Sequence, residues 1–369
     1  METNNKYYKI DSILSKGADY NIIFGERSNG KTYAALEYGL CEYVRTGKQF
    51  AYIRRWREDL RGKRGETLFA NHVANGFIST LTGGVYDDVV YTGGKWYLAK
   101  YDAKQKRRVS ADTPFCYGFC LSEQEHEKST SYPNITTVVF DEFLSRRFYL
   151  ADEFMLFMNL LSTIIRQRDD VRVIMLGNTV NKFCPYFTDM GLTHVTEMKQ
   201  GTIDIYKFGE KGAVVAVEYC SSMEHSKASN KYFCFDNEKL QMITGGKWEL
   251  AVYPHLPKKY KPADVLYVYY IVYGDNVLQA NIIQSDDDIF TFIHAKTTPI
   301  KDDGESLVYS LESSSRPNYR RKLISSVGGI ESKISAFFAM DKVFYQSNEI
   351  GEIVRNYIQA SMRSNVLQK

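Results

Sequence analysis

Residues 21–36 read NIIFGERSNGKTYAAL, and within them Gly25-Glu26-Arg27-Ser28-Asn29-Gly30-Lys31-Thr32 meets the G-x-x-x-x-G-K-[ST] phosphate-loop pattern at every position. A glycine-rich turn can match such a pattern by accident, so its flanks decide. Tyr20 to Phe24 reads as a short apolar strand. After the turn, Ala35, Leu36, Leu40, Tyr43 and Val44 recur at helical spacing as far as a stop at Thr46-Gly47. Strand, loop and helix therefore follow one another in the order phosphate binding requires. Main-chain N–H groups of residues 26 to 31 can wrap phosphates, and the helix N-terminus adds the positive end of its dipole. Gly25 and Gly30 permit close backbone approach, Lys31 reaches the outer phosphates, and Thr32 offers a hydroxyl to magnesium. ATP with Mg2+ is the expected ligand.

A phosphate loop that hydrolyses nucleotide also needs a carboxylate at the tip of a neighbouring strand. Ile135-Thr136-Thr137-Val138-Val139-Phe140-Asp141-Glu142 is β-branched and apolar and ends in two acids, as a buried parallel strand would. Asp141 is placed to hold the metal, and Glu142 to polarise the attacking water. An apolar strand that simply meets solvent at Asp-Glu would look the same in isolation. Between the two motifs QFAYIRR (49–55) supplies an extra strand, followed by an antiparallel pair about Gly93-Gly94 in DDVVYTGGKWYLAKY and then by PFCYGFCL. An added strand with a Glu beside the metal Asp predicts an α/β P-loop NTPase of the additional-strand catalytic-Glu class; kinase-type P-loop proteins usually lack that Glu. Downstream, EFMLFMNLLSTIIRQR is an amphipathic helix ending in Arg166 and Arg168. The strand VRVIMLGN then ends in Asn178, which can sense the γ-phosphate.

The rest of the composition narrows the class. The chain has 369 residues, 44% hydrophobic and 25% charged, a globular balance long enough for two domains. It has no apolar run of membrane-spanning length, and METNNKYYKIDS lacks the layout of a secretory signal. Cysteines 41, 116, 120, 184, 220 and 234 form no C-x-x-C pair, which suits free thiols in a cytosolic chain. The net charge of +3 excludes a chain coated in positive charge. Basic clusters at 54–64, 104–108, 258–261 and 316–322 instead suggest a grip on polyanions at chosen places, although solvated loops account for each equally well.

The strings GERSNGKTY, GKQFAYIRRWREDL, EKSTSYPNITTVVFDEFL, LSTIIRQRDDVRVIMLGN and NKFCPYF, in this order and spacing, closely resemble the genome-packaging ATPases of phi-29-type tailed phages. The similarity is specific over roughly residues 10 to 190 and continues weakly beyond. It implies a terminase-like motor that translocates double-stranded DNA into a procapsid through the portal. That motor would be a homopentameric ring in the infected host's cytoplasm, transiently on the portal vertex, with nucleotide bound between neighbours. It leaves room for a scaffold RNA. The family's trans-acting arginine finger matches Arg166, and a lysine implicated in communication between subunits matches Lys128. The lid-region lysine aligns with Arg57, which keeps the charge and changes the chemistry. A basic residue after the Asp-Glu segment aligns with Ser145, beside Arg146 and Arg147.

The sequence divides into a motor domain at 1–190, a linker region at 191–260 and a C-terminal domain at 261–369. In the last, VLYVYYIVYGDNVLQANIIQSDDDIFTFIHA reads as three strands with turns at Gly274-Asp275-Asn276 and Ser285 to Asp288. Helical patterns follow at 329–340 and 348–363, giving an α+β domain. The resemblance implies a ribonuclease-H-like fold. Its acids, Asp275 and Asp286 to Asp288, fall in predicted turns, so the carboxylates of a two-metal nuclease are not expected. Lys258, Lys259, Lys261, Arg320 and Arg321 are the candidate contacts to DNA phosphates. Two rivals share these features: a ring helicase or conjugative translocase, which would prefer single strands, and a structural portal adaptor that binds nucleotide without turnover.

Overall fold

The apolar run that opens the phosphate-loop stretch is covered on both faces. In β1 (Tyr20–Gly25), Ile22 and Phe24 join one core with Phe157, Leu160, Leu161 and Ile164 of the helix Glu153–Ile165. Ile23, on the opposite face, joins a second core with Ala35, Leu36 and Leu40 of the helix Lys31–Thr46. A strand buried on both sides is the signature of a parallel sheet clothed by helices. The computed structural model describes residues 8–102, 106–123, 130–145, 149–150, 152–179, 184–210, 212–221, 253–256, 259–285, 288–300, 304–325 and 328–363. It divides into two compact units, residues 1–249 and 250–369. No helix among the described residues is long and apolar enough to cross a membrane.

The strands of the first unit are β1, β2 (Gln49–Arg54), β3 (Asp88–Thr92), β4 (Lys95–Asp102), β5 (Arg107–Ser110), β6 (Cys116–Cys120), β7 (Ile135–Asp141), β8 (Arg172–Asn178), β9 (Thr202–Lys207) and β10 (Val214–Tyr219). They form one sheet in the order β3-β4-β6-β2-β7-β8-β1-β10-β9, with β5 beside β4. The central strands β2, β7, β8, β1 and β10 all run parallel. β8 stands between the phosphate-loop strand β1 and the Asp-Glu strand β7, which is the additional-strand P-loop architecture. Residues 49–54 of that run do form a strand, but β2 lies on the far side of β7; the strand that separates the two motifs in space is β8. The hairpin about Gly93-Gly94 is present as β3 and β4.

Part of the stretch read as a linker belongs to this sheet. β10 pairs directly with β1, and β9 closes the edge beside it. AVVAVEY is apolar on both faces because it is a central strand, with Val215, Ala216 and Val217 all buried. Residues 222–252 of that stretch lie outside the described residues.

The insertion between β2 and β6 touches the front of the phosphate-loop helix. The helix Ala70–Ala74 lays His72 flat on Tyr33, with ring centroids 3.9 Å apart at 2°. His72 is buried, with Nε2 placed 3.3 Å from Tyr33 O. Burial pulls its pKa down to about 4, against a smaller upward pull from the Tyr33 carbonyl. The unfolded chain, titrating near 6.5, then binds the proton first as pH falls. The stability associated with the neutral ring is fully present above about pH 6.5 and lost on descent to pH 4, by about 3 kcal/mol. Urea unfolding at pH 7 and pH 4.5 checks this: His72→Gln is expected to shrink the difference between the two.

The second unit contains β11 (Val265–Tyr273), β12 (Asn276–Ser285), β13 (Asp288–Ala295), β14 (Val308–Ser310), β15 (Tyr319–Arg320) and β16 (Val343–Tyr345), in the order β15-β14-β11-β12-β13-β16. β11 to β13 form an antiparallel meander, β14 runs parallel to β11, and β15 runs parallel to β14. That is the ribonuclease-H-like strand order, extended by β16 parallel to β13. The expected helices are found at Ile330–Ala339 and Asn348–Arg363. Ile350, Ile353, Val354 and Tyr357 of the latter are buried, and that helix packs on β11, β13 and β16. β11 carries buried Tyr269 at its centre and β14 carries buried Tyr309; neither strand contains a carboxylate.

Candidate functional site

Three strand tips bring the chemistry together. Gly25 at the end of β1 lies opposite Asn178 at the end of β8, and Asp141 at the end of β7 lies opposite Leu176. Parallel strands all end on one side, so a loop, an acid pair and an amide meet there without any contact between them in sequence. Lys31 Nζ donates to Glu26 O at 2.6 Å, to Asn29 Oδ1 at 3.1 Å and to Asn178 Oδ1 at 3.3 Å. Burial lowers the Lys31 pKa below the ordinary lysine value, opposed by the nearby Asp141 and Glu26 carboxylates. Among the described residues, the N–H groups of Arg27, Ser28, Asn29 and Gly30 donate to no protein acceptor, at the front of a helix of 16 residues. Gly30 stands at φ 93°, a conformation that disfavours any side chain.

The acid side is equally defined. Thr32 Oγ1 lies 3.2 and 3.1 Å from the two oxygens of Asp141, and the Tyr52 hydroxyl donates to Asp141 Oδ2 at 2.8 Å. Burial, with Asp141 alongside, pushes the Tyr52 phenol well above its usual range, so it remains a donor. Glu142 follows with φ 58°, and its carboxylate is held by Arg54 Nη2 at 2.7 Å. The same guanidinium lies 3.5 Å from Asp59 and 3.6 Å from Asp141. Burial opposes the charge on Arg54, but Tyr52, Asp141, Glu142 and Asp59 outweigh it and raise its pKa above the usual arginine value.

Sequence reading missed Tyr52, Arg54 and Arg55, because their partners are some ninety residues away. It placed the two arginines in a cluster for gripping polyanions, and the structure corrects this. Arg54 faces Asp141 and Glu142, Arg55 is buried against Glu153, Arg57 pairs with Glu123, and Arg64 pairs with Asp59.

The two arginines that follow the Glu153–Ile165 helix divide sharply in their partners. Arg168 donates to the carbonyls of Ile164, Ile165, Tyr132, Pro133 and Ile135 and is a structural cap. Arg166 is exposed, caps the helix at φ 44° and donates to Thr130 O at 2.8 Å. Lys128, Arg146 and Arg147 lie outside the described residues, and Ser145 N bonds the Tyr149 hydroxyl at 3.1 Å. In the second unit, Lys259 and Lys261 are exposed, while Lys258 lies outside the described residues. Arg320 is ion-paired with Glu331 at 2.6 Å, and Arg321 donates to Leu311 O at 2.8 Å. Arg320 is thus paired within its own unit, while Arg321 remains exposed.

Backbone strain marks the same place independently of any motif. Of the seven described non-glycine residues at positive φ, five (Ser28, Glu142, Asp152, Arg166 and Gln167) belong to the phosphate loop, the acid pair or the two ends of the Glu153–Ile165 helix. Each costs about 1–3 kcal/mol, and such residues gather at functional sites.

A family model for the Podovirus DNA encapsidation protein (Gp16) matches residues 2–231. The chain belongs to this family. Its curated relatives include the DNA packaging proteins of Bacillus phage phi29, at 31% identity over 184 residues, and of Bacillus phage B103, at 30% over 185. The first alignment covers 49% of each chain, so this encapsidation-family chain spans about half the length of the curated relatives it matches. It also superposes on a chain of the bacteriophage Phi-29 viral genome packaging motor assembly with a TM-score of 0.58 at 19% identity, over 97% of this chain and 99% of that one. A chain of the Phi-28 gp11 DNA packaging motor gives a TM-score of 0.53 at 16% identity, over 99% of both. These two likenesses speak for the fold, which runs through both units.

Proposed function

We propose that this member of the encapsidation family is an ATP-driven motor that moves double-stranded DNA into a preformed procapsid through its portal, acting in the host cytoplasm as a homo-oligomeric ring. The observation that carries the reading is the meeting of the loop N–H groups of residues 27 to 30 and Lys31 with Thr32, Asp141 and Glu142 at one edge of the sheet. Cationic and N–H donors on one side suit a triphosphate, and a hydroxyl with a carboxylate on the other suits a divalent ion. The residues thus fit ATP with Mg2+. Thr32 and Asp141 would hold the ion, which, when bound, screens the phosphate charge.

The chain's own residues do the remaining work. Lys31 turns from loop oxygens to phosphate oxygens, and Asn178, already against Lys31, registers whether the outer phosphate is present. Glu142 orients the attacking water and accepts its proton as the bond to the outer phosphate breaks; Arg54 must release it first, because a carboxylate locked in an ion pair is a poor base. Arg166, with Lys128, serves the site of a neighbouring subunit, where a guanidinium neutralises charge on the transferred group. A scaffold RNA is compatible with the assembly.

The test is phosphate release by the full chain with and without duplex DNA and procapsids. Hydrolysis stimulated by both supports the motor; absence of turnover, or a preference for single strands, overturns it. DNA contacts should be sequence-independent. Exposed Lys259 and Lys261 are the contacts in the second unit, so Lys259→Ala with Lys261→Ala should reduce the slope of log affinity against log salt by about 0.9 per lysine. Filter binding at several salt concentrations checks this. DNA should emerge uncut, since Tyr269 and Tyr309 stand on the strands where a nuclease needs carboxylates.

A further inference from the structure

Arg55 follows Arg54 at the end of β2 but is buried, and its guanidinium is unusually committed. Nε and Nη2 grip the two oxygens of Glu153 at 2.7 and 2.8 Å. Nη2 also donates to Phe143 O at 2.7 Å, and Nη1 to Glu142 O at 3.1 Å. The Tyr149 ring lies against it, 5.1 Å from the guanidinium carbon to the centroid. Glu153 is closed on its other side by the Tyr186 hydroxyl at 2.8 Å and Leu150 N–H at 2.7 Å. Arg55 is 6% exposed and Glu153 2%.

Stability does not explain such a pair, since apolar residues of similar volume commonly serve as well or better. An apolar pair cannot fix two carbonyl groups, however, and the two fixed here belong to Glu142 and its successor. Glu142 is held in the left-handed region, at φ 58°. Its side-chain direction therefore depends on whatever keeps that peptide from relaxing. The partner of Arg55 is equally placed. Glu153 is the first residue of the 13-residue helix that Arg166 caps at the other end. A helix of that length is a rod of about 20 Å.

We infer that Arg55 is a positioning residue. It holds the main chain that aims Glu142, and through Glu153 it ties to the same frame the helix presenting Arg166. One buried ion pair thus sets both the group a subunit uses in its own site and the group it offers to a neighbour. The inference rests on the roles of Glu142 and Arg166 proposed above.

The test uses the full chain with duplex DNA and procapsids, measuring kcat, KM and nucleotide Kd. Arg55→Lys keeps the charge, but one ammonium cannot span a carboxylate and two carbonyls. It is expected to lower kcat by about tenfold to a hundredfold through misplacement alone, with nucleotide Kd within about twofold. Combined with Arg166→Ala, the loss should be smaller than the product of the single losses, because both changes disturb one rigid unit. A folded Arg55→Lys variant with wild-type kcat, a parallel loss of affinity and rate, or strictly multiplicative losses would each overturn the inference. Should Arg55→Lys fail to fold, Glu153→Asp preserves both charges, shortens the reach by one methylene and is held to the same outcomes. If the wild-type chain hydrolyses nothing, it is the parent reading that fails, which the wild-type control reveals separately.

Discussion

Glu142→Gln is expected to slow ATP hydrolysis by about a hundredfold to ten-thousandfold at saturating nucleotide, the usual range for loss of a positioned base. An amide of the same size can still hydrogen-bond a water but cannot accept its proton. Nucleotide affinity should hold, because among the described residues Glu142 bonds to neither the phosphate loop nor Thr32; its carboxylate is held by Arg54, its N–H donates to Asp141 Oδ1, and its carbonyl accepts from Arg55. Arg54 would remain near Asp141 and Asp59, so the fold around it stays charged and paired. Single-turnover phosphate release, with binding measured separately, distinguishes the two steps. A Glu142→Gln variant that turns over like wild type would remove Glu142 from the mechanism.

Lys31→Ala should strike one step earlier. The ammonium has three protein oxygen partners, and phosphate oxygens would replace some of them. Losing a buried charge-assisted donor is expected to weaken nucleotide binding by at least about a hundredfold and leave no detectable hydrolysis. Calorimetric titration of nucleotide into wild type and variant measures the first effect. Equal affinities would show that the loop does not hold the phosphates. The wild-type protein also carries a pH signature. Burial lowers the Lys31 pKa in the free loop, whereas phosphate favours the charged form and raises it. Affinity is then full below the free-loop value and declines as pH rises from there towards the higher pKa of the loaded loop. The decline should be missing from the Lys31→Ala chain.

What can be read from the sequence is local. The phosphate loop, the strand ending in Asp141-Glu142, the hairpin about Gly93-Gly94 and the three strands and two helices of the second unit each declare themselves within a window of ten to twenty residues. The family resemblance rests on the same windows. Pairing across the sheet does not show. β10 reads as linker although AVVAVEY has the two-faced apolarity of a central strand, because nothing nearby says which strand it joins. β8, rather than β2, separates the two motifs for the same reason. The arginines make the point most directly. Arg54, Arg55, Arg166, Arg168, Arg320 and Arg321 all look like free cations in a string of letters. Distant carboxylates and carbonyls decide that Arg168 is a cap, Arg320 an internal pair and Arg54 the keeper of the acid pair.

Left-handed main chain recurs around the phosphate loop, the acid tip and both ends of the Glu153–Ile165 helix. Each such position holds torsional energy that neighbouring contacts keep from escaping. Glycine at any one of these positions would lift that cost while leaving the two hydrophobic cores intact.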